Sequence, residues 1–349
     1  MHTHQKYIER CLILAKNGLG TTYPNPMVGS VVVYKGQIIG EGWHQKAGQA
    51  HAEVLAIKSV KDQSLLKKAT IYVSLEPCSH FGKTPPCADL IIAKKIPKVV
   101  IGGLDPNEKV AGRGVKKLLE AGCKVLVGVL EKECQELNKR FFTFHIKKRP
   151  YIILKWAQTE DGFIAPLNQE KGKPFWISNT YSKQLVHKWR SEEQAILVGT
   201  TTAIKDNPQL NVRLWEGENP MRIVLDRNLK LPKDSFILDK SIKSLVFTSE
   251  ENASKTMASE NVIFEAIDFE KEVPKQICDV LFKHQIQSII IEGGAITLQS
   301  FIDTNLWDEA RVFKSNNKLV QGIKAPDLKG KIRSKEHLER ELLTTYTHD

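Results

Sequence analysis

The sequence predicts an α/β protein built from two consecutive domains. Three observations carry that reading. Strand-type and helix-type hydrophobic patterns alternate through most of the chain. The alternation breaks once, at residues 138–150, where an aromatic stretch (Phe141, Phe142, Phe144) runs into the basic, proline-ended segment Lys147-Lys148-Arg149-Pro150. At 349 residues the chain is long for one core and comfortable for two. The domains are accordingly placed at residues 1–146 and 147–349.

The first half opens with residues 4–18, which space Ile8, Cys11, Leu12 and Ala15 as a helix ending at Gly18. Tyr23-Pro24-Asn25-Pro26 is a rigid turn. Residues 27–34 and 37–42, joined by Lys35-Gly36, read as a β-hairpin. Helices are expected at 51–60, 87–95 and 114–121, the last stopped by Gly122, and strands at 69–75, 98–104 and 124–130. The aromatic stretch is expected to dock the final helix. In the second half strands are expected at 151–157, 195–199, 221–226, 245–248 and 288–291, and helices at 181–190, 273–284 and 295–302. Residues 314–349 are polar and Lys-rich and carry no clear pattern.

Composition narrows the function classes. No run of eighteen uncharged apolar residues exists, so a membrane span and a membrane partner are not expected, and a cytoplasmic location is. Six cysteines (11, 78, 87, 123, 134 and 278) form no disulfide framework. Cys11, Cys123, Cys134 and Cys278 read as small apolar residues. The charge is lopsided: residues 1–146 carry 21 Lys and Arg against 12 Asp and Glu, a net +9, whereas 147–349 carry 30 against 28. A basic first half suits phosphate-bearing ligands, polymeric or small; solvated helix faces explain it equally well.

Chemistry concentrates at His51-Ala52-Glu53, Cys78 and Cys87. Zinc takes Cys sulfur and His nitrogen, and a catalytic site keeps three protein ligands and one open position. His51, Cys78 and Cys87 supply three, with His51 and Cys87 at expected helix N-termini, where the dipole favours a thiolate. Zinc lowers the pKa of a bound water to about 7, and Glu53 could carry its proton to a leaving amine. His-x-Glu followed by Pro-Cys and a second Cys is the pattern of zinc nucleobase deaminases. Here eight residues, 79–86, separate the cysteines instead of the usual two. A closed structural zinc, with His44 or His80 as fourth ligand, is the alternative, and it leaves Glu53 unexplained. Asp105-Pro106-Asn107 is a site loop or a simple turn. Gly112-Arg113-Gly114 opens a helix as a plausible phosphate cradle.

At these residues the sequence resembles the bifunctional riboflavin-biosynthesis deaminase/reductase family. The resemblance rests on His51-Ala52-Glu53, Pro77-Cys78-Ser79-His80 with Gly82, Thr84-Pro85-Pro86-Cys87, Tyr23-Pro24-Asn25-Pro26 and Gly103-Leu104-Asp105-Pro106-Asn107. In the second half Lys155-Trp156-Ala157 with Asp161-Gly162, Asp206-Asn207-Pro208 with Leu210 and Arg213, and Glu292-Gly293-Gly294 extend it, to about residue 326. The chain departs from the family at Thr159-Glu160 and Pro174.

The resemblance implies a cytidine-deaminase-like α/β/α domain followed by a dihydrofolate-reductase-like α/β domain. The first would hydrolyse the 2-amino group from 2,5-diamino-6-ribosylamino-4(3H)-pyrimidinone 5′-phosphate. The second would reduce the ribosyl chain with NADPH, giving 5-amino-6-ribitylaminouracil 5′-phosphate. His51, Cys78 and Cys87 would hold Zn2+ and Glu53 would be catalytic. Asn25, His44, His80, Lys83 and Asn107 would bind the deaminase substrate. Lys155, Arg190, Leu210, Arg213 and Glu292 would bind the reductase substrate, the arginines gripping its phosphate. Ala157, Trp176, Thr202, Asp206, Gly293 and Gly294 would lie on the cofactor side; for the Gly-Gly pair a tight turn is an equal explanation. The implied partners are a small phosphorylated pyrimidine and NADPH, with no nucleic acid; a homo-oligomer is left open. Two rivals remain: a deaminase of tRNA or single-stranded DNA, and a non-enzymatic zinc-stabilised binding module.

Overall fold

The computed structural model describes residues 2–79, 85–107, 111–168, 177–256 and 259–348. It divides into two compact units, Met1–Lys148 and Arg149–Asp349, two residues beyond the expected boundary.

The first unit is a five-stranded sheet in the order β2-β1-β3-β4-β5. Its strands are β1 (Gly29–Tyr34), β2 (Gln37–Trp43), β3 (Thr70–Leu75), β4 (Lys98–Gly103) and β5 (Lys124–Val127). The hairpin β1–β2 and the β1–β3 pair are antiparallel; β3, β4 and β5 run parallel. Alternation along β1 sorts the core, because successive side chains point to opposite faces. Val31 and Val33 face α1 (His2–Ala15), where Tyr7, Ile8 and Cys11 are buried. Val32 faces the other layer, where α2 (Ala52–Ser59), α3 (Cys87–Ala93) and α4 (Arg113–Glu120) contribute Ala56, Ile57, Ile91 and Leu118. The α2 helix lies very close on β2. A Cβ on Gly42 would fall 2.6 Å from the Leu55 Cβ, so a side chain there would push away the helix that His51 begins.

Two short helices close this unit, α5 (Glu131–Leu137) and α6 (Lys139–Lys147). Of the expected basic linker, only Lys147 is helical, as the last residue of α6; residues 148–150 lie outside helix and strand. Phe141 and Phe144 on α6 are buried, as the sequence suggested for the aromatic stretch.

The second unit is a nine-stranded sheet in the order β11-β10-β9-β8-β12-β6-β13-β16-β15, beside a two-stranded sheet of β7 (Phe163–Ala165) and β14 (Ile323–Lys324). Its parallel strands are β6 (Tyr151–Gln158), β8 (Ala195–Gly199), β9 (Met221–Leu225), β10 (Ser244–Thr248), β11 (Val262–Ala266), β12 (Ser288–Glu292) and β13 (Glu309–Ser315). The strands buried on both faces are runs of Val, Ile and Leu, as a covered parallel sheet requires. One face holds α7 (Thr180–Glu192) and α8 (Thr200–Asp206), with Val186, Trp189 and Ala203 packed on Ile153 and Val198. The other holds α10 (Val273–Lys283) and α11 (Ala295–Asp303), with Ile277, Leu281 and Phe301 packed on Leu154 and Leu197. The short helix α9 (Glu250–Ala253) leads towards β11.

The polar C-terminal stretch is not structureless. β15 (Lys331–Leu338) and β16 (Glu341–Thr347) form an antiparallel hairpin whose second strand pairs with β13. The sequence hid it because β15 is an edge strand, its residues mostly exposed and rich in Lys and Arg, as edge strands tend to be.

Candidate active sites

In the first unit His51 caps α2, Cys78 follows β3 and Cys87 is the first residue of α3. Their Nδ1 and two Sγ atoms lie within 4.8 Å of one another. His51 Nδ1 is 3.5 Å from Cys78 Sγ and 3.3 Å from Cys87 Sγ, and the Cys87 N–H donates to Cys78 Sγ at 3.3 Å. Hydrogen bonds from Cys87 and His51 bring the Cys78 thiol down to about 4 against its burial; the bond to Cys78, then burial, leave Cys87 as the protonated partner. One imidazole and two sulfurs converging on a common point fit a zinc ion, which would deprotonate both thiols.

Glu53 is on the first turn of α2 and is 3 % exposed. Burial first, then the negative charge of Cys78, pushes its carboxyl up to about 7. A zinc ion's positive charge would pull the other way.

His44 is not a fourth ligand. Its Nδ1 lies 3.2 Å from the Ala50 carbonyl and its Nε2 3.0 Å from Asn25 Nδ2, so both ring nitrogens are engaged. With Nδ1 donating, Nε2 accepts from Asn25 and the ring is neutral; burial holds its pKa below the usual histidine value. The ring stands edge-on to His51 with centroids 5.3 Å apart. Asn25, His44 and the metal cluster are therefore one constellation. His80 and Lys83 lie outside the described residues. The backbone N–H of Asn107 donates to Asp105 Oδ1 at 2.8 Å, a tight Asx turn, and burial pushes Asp105 up to about 6.

The expected phosphate cradle at Gly112-Arg113-Gly114 is already filled. Glu76 Oε2 accepts from Gly112 N at 2.9 Å, and Oε1 accepts from Gly114 N at 2.9 Å and Val115 N at 3.1 Å. An internal carboxylate thus takes the N-terminus of α4, where an outside anion would have bound. Sequence reasoning missed Glu76. Its one signal was an acidic residue directly before Pro77-Cys78.

In the second unit, Lys155 on β6 and Glu292 at the end of β12 are register partners on adjacent strands. Arg190 on α7 grips Glu292 twice, Nη2 to Oε2 at 2.8 Å and Nε to Oε1 at 3.3 Å. Burial works to raise Glu292, but the charges of Arg190 and Lys155 outweigh it and bring the carboxyl down to about 2. Burial holds Lys155 below the usual lysine value, opposed by Glu292.

The remaining Arg190 nitrogen, Nη1, reaches the Asn211 carbonyl at 3.3 Å. All three of its guanidinium nitrogens are engaged, whereas Arg213 is exposed and, among the described residues, has one such bond, Nη1 to Asn211 Oδ1 at 2.9 Å. The Leu210 side chain is 2 % exposed within the core, so only its backbone is available to a ligand. Thr202 Oγ1 accepts the Gly294 N–H at 3.0 Å, which removes that N–H from the expected phosphate cradle. Gly293 has φ 131°, and a Cβ there would lie 3.2 Å from Thr202 Oγ1. Thr202, Gly293 and Gly294 are brought together; Ala157 lies near the end of β6 and Asp206 ends α8. Trp176 and Pro174 lie outside the described residues, while Thr159 and Glu160 follow β6, with Thr159 Oγ1 donating to Asp161 Oδ1 at 2.6 Å.

A buried carboxylate beside a His-Cys-Cys cluster, on a mixed sheet with helices on both faces, defines a zinc-type deaminase domain, here followed by a separate α/β unit. Residues 1–103 match the family described as cytidine and deoxycytidylate deaminase zinc-binding region, and residues 150–325 match the RibD C-terminal domain. The chain is 42% identical over 326 residues to the riboflavin biosynthesis protein RibD of Aquifex aeolicus, covering 93% of this chain and 90% of that one. It is 38% identical over 335 residues to RibD of Synechocystis, covering 95% and 89%. The crystal structure of a diaminohydroxyphosphoribosylaminopyrimidine deaminase/5-amino-6-(5-phosphoribosylamino)uracil reductase from Thermotoga maritima is similar with a TM-score of 0.89 at 38% identity, over 99% of both chains. Acinetobacter baumannii RibD gives 0.88 at 33% identity, again over 99% of both. The chain belongs to the RibD family of bifunctional deaminase/reductases of riboflavin biosynthesis, with a cytidine-deaminase-like domain followed by a RibD reductase domain of the dihydrofolate-reductase-like fold. No helix among the described residues is long and apolar enough to cross a membrane.

Proposed function

We propose that the two units act in sequence on one pyrimidine. The first removes the 2-amino group of 2,5-diamino-6-ribosylamino-4(3H)-pyrimidinone 5′-phosphate. The second reduces the ribosyl chain with NADPH to give 5-amino-6-ribitylaminouracil 5′-phosphate. The observation that carries the first step is Glu53, buried beside the convergent His51, Cys78 and Cys87 atoms. Bound there, zinc supplies the Lewis acidity that makes a water nucleophilic at neutral pH. Glu53 takes the proton of the attacking water and returns it to the departing amine, a role its buried position beside the His51, Cys78 and Cys87 atoms allows. Asn25, held in place by the neutral His44, offers a hydrogen bond to the pyrimidine, with Asn107, His80 and Lys83 as further substrate-binding candidates.

For the second step, Lys155 on β6 sits beside Glu292 at the C-terminal end of the parallel strand β12, the end at which open α/β sheets bind ligands. NADPH, when bound, supplies the hydride. Thr202, Gly293 and Gly294 form the close-packed surface against which it would lie, with Ala157 and Asp206 as neighbours; Trp176 is a further cofactor-binding candidate by resemblance. Lys155, held below its usual pKa, is a ready proton donor to the oxygen that the hydride step leaves negative. Arg213 is the open guanidinium for the substrate phosphate; Arg190 orders Glu292.

The test is a two-step assay on the purified chain. Ammonia is expected from the diaminopyrimidinone phosphate without NADPH, and NADPH oxidation only after deamination. Ammonia released from tRNA but not from this compound would overturn the proposal.

A further inference from the structure

Residues 207–213 between α8 and β9 form an irregular segment that leads into an exposed stretch at 213–219. Such segments are mobile unless something ties them down. Among the described residues, four bonds from other side chains to the backbone of residues 207–213 do so. Arg222 Nε donates to the Gln209 carbonyl at 2.8 Å, and Arg190 Nη1 to the Asn211 carbonyl at 3.3 Å. Asn219 Oδ1 accepts from Val212 N at 2.7 Å. The fourth is His187, one turn before Arg190 on α7: its Nδ1 accepts the backbone N–H of Arg213 at 3.2 Å. His187 is 3 % exposed and touches solvent too little to act as a surface group.

An imidazole nitrogen can accept an N–H only when unprotonated. The ring faces two cations, Arg190 and Arg213, and one anion, Glu292. Burial, then the two arginines, bring it down to about 4 against Glu292 and a hydrogen bond to the Asn211 backbone, so the bond persists across the neutral range. His187 and Arg190 therefore hold one loop from one helix face, and the loop presents Arg213.

We propose that His187 is a positioning residue for the phosphorylated substrate of the reductase unit, fixing the backbone of Arg213 so that its guanidinium is preset for the phosphate. The proposal rests on the reductase reading above. A preset guanidinium spares the ordering entropy that a free loop would lose on binding.

The test compares His187→Leu, which removes the acceptor at similar volume, with His187→Asn, whose side-chain oxygen can still accept near the Nδ1 position. In full-length protein, hydrogen exchange over 207–219 without any ligand should rise in His187→Leu and much less in His187→Asn. In the reductase assay the KM for the deaminated substrate should rise roughly five- to tenfold in His187→Leu, the size of one lost hydrogen bond, with kcat within about twofold. The KM for NADPH and the deaminase rate should stay unchanged, and His187→Asn should recover most of the KM. Unchanged exchange overturns the anchoring whatever the substrate is. Faster exchange with an unchanged KM overturns the substrate role. A fall in kcat alone, or a general loss of melting temperature with both activities, also overturns it. Wild-type protein that oxidises no NADPH would count against the reductase reading instead, while the exchange result would still decide the anchoring.

Discussion

Glu76 Oε1 accepts the backbone N–H of Gly114 at 2.9 Å, and a Cβ on Gly114 would lie only 2.1 Å from the Pro77 carbonyl oxygen. The start of α4 is thereby pressed against the segment that leads into Cys78. Gly114→Ala should force the two apart, lowering zinc per chain and deaminase activity together, as metal analysis of the purified variant would record. Glu76→Gln keeps the shape but loses the charge that the N–H groups of Asp105, Gly112, Gly114 and Val115 share, and should cost about 1–3 kcal/mol in denaturant unfolding of the first unit.

Glu53 and the metal cluster separate cleanly by substitution. Glu53→Gln should lower ammonia release by roughly 10²–10⁴-fold, the range for a general acid–base group, with close to a full zinc complement retained. NADPH oxidation with pre-deaminated substrate should be unaffected. Chelation of the metal should have the same selectivity. Loss of zinc from Glu53→Gln would reassign that residue to holding the site together.

Acid should weaken the second unit in two windows. Glu292 falls from an ordinary 4.5 to about 2 in the folded chain, so its contribution is complete above 4.5 and is lost as pH drops towards 2. His187 falls from 6.5 to about 4; the unfolded chain takes up that proton first, so stability also declines from 6.5 towards 4. Both terms have the same sign. Arg190→Met should raise the pH at which the unit unfolds, read by circular dichroism across an acid titration. An unchanged acid midpoint would rule out the Arg190–Glu292 pair as the source.

The C-terminal hairpin reaches the reductase helix through Glu341. This residue is 4 % exposed, accepts from Ser182 Oγ at 2.5 Å and from the Asn179 N–H, and so closes the N-terminus of α7. Glu341→Gln should cost about 1–3 kcal/mol and slow the reductase while sparing the deaminase. Differential scanning calorimetry with both assays would check it; equal loss of the two activities would contradict the assignment.

The sequence by itself determined the two-domain α/β plan and the identity of the zinc-type constellation. Hydrophobic periodicity is local, and His51-Ala52-Glu53 with Cys78 and Cys87 is chemistry that few other arrangements share. Through the family resemblance it also offered Lys155, Asp206 and Glu292 as ionisable residues near the ribose, and Arg190 and Arg213 as phosphate candidates. Only the tertiary structure decided how those residues are partnered. It gave the N-terminus of α4 to Glu76, turned Arg190 onto Glu292, buried the Leu210 side chain and set His187 under Arg213. It also joined the polar residues after 326 to β13 as a hairpin. The physical reason is the same in each case. A cation or a helix terminus will accept any well-placed carboxylate, and an edge strand has no apolar face to announce it. Which distant group arrives is settled by the packing of the sheet, as with Glu292, which reaches Arg190 across 102 residues of chain.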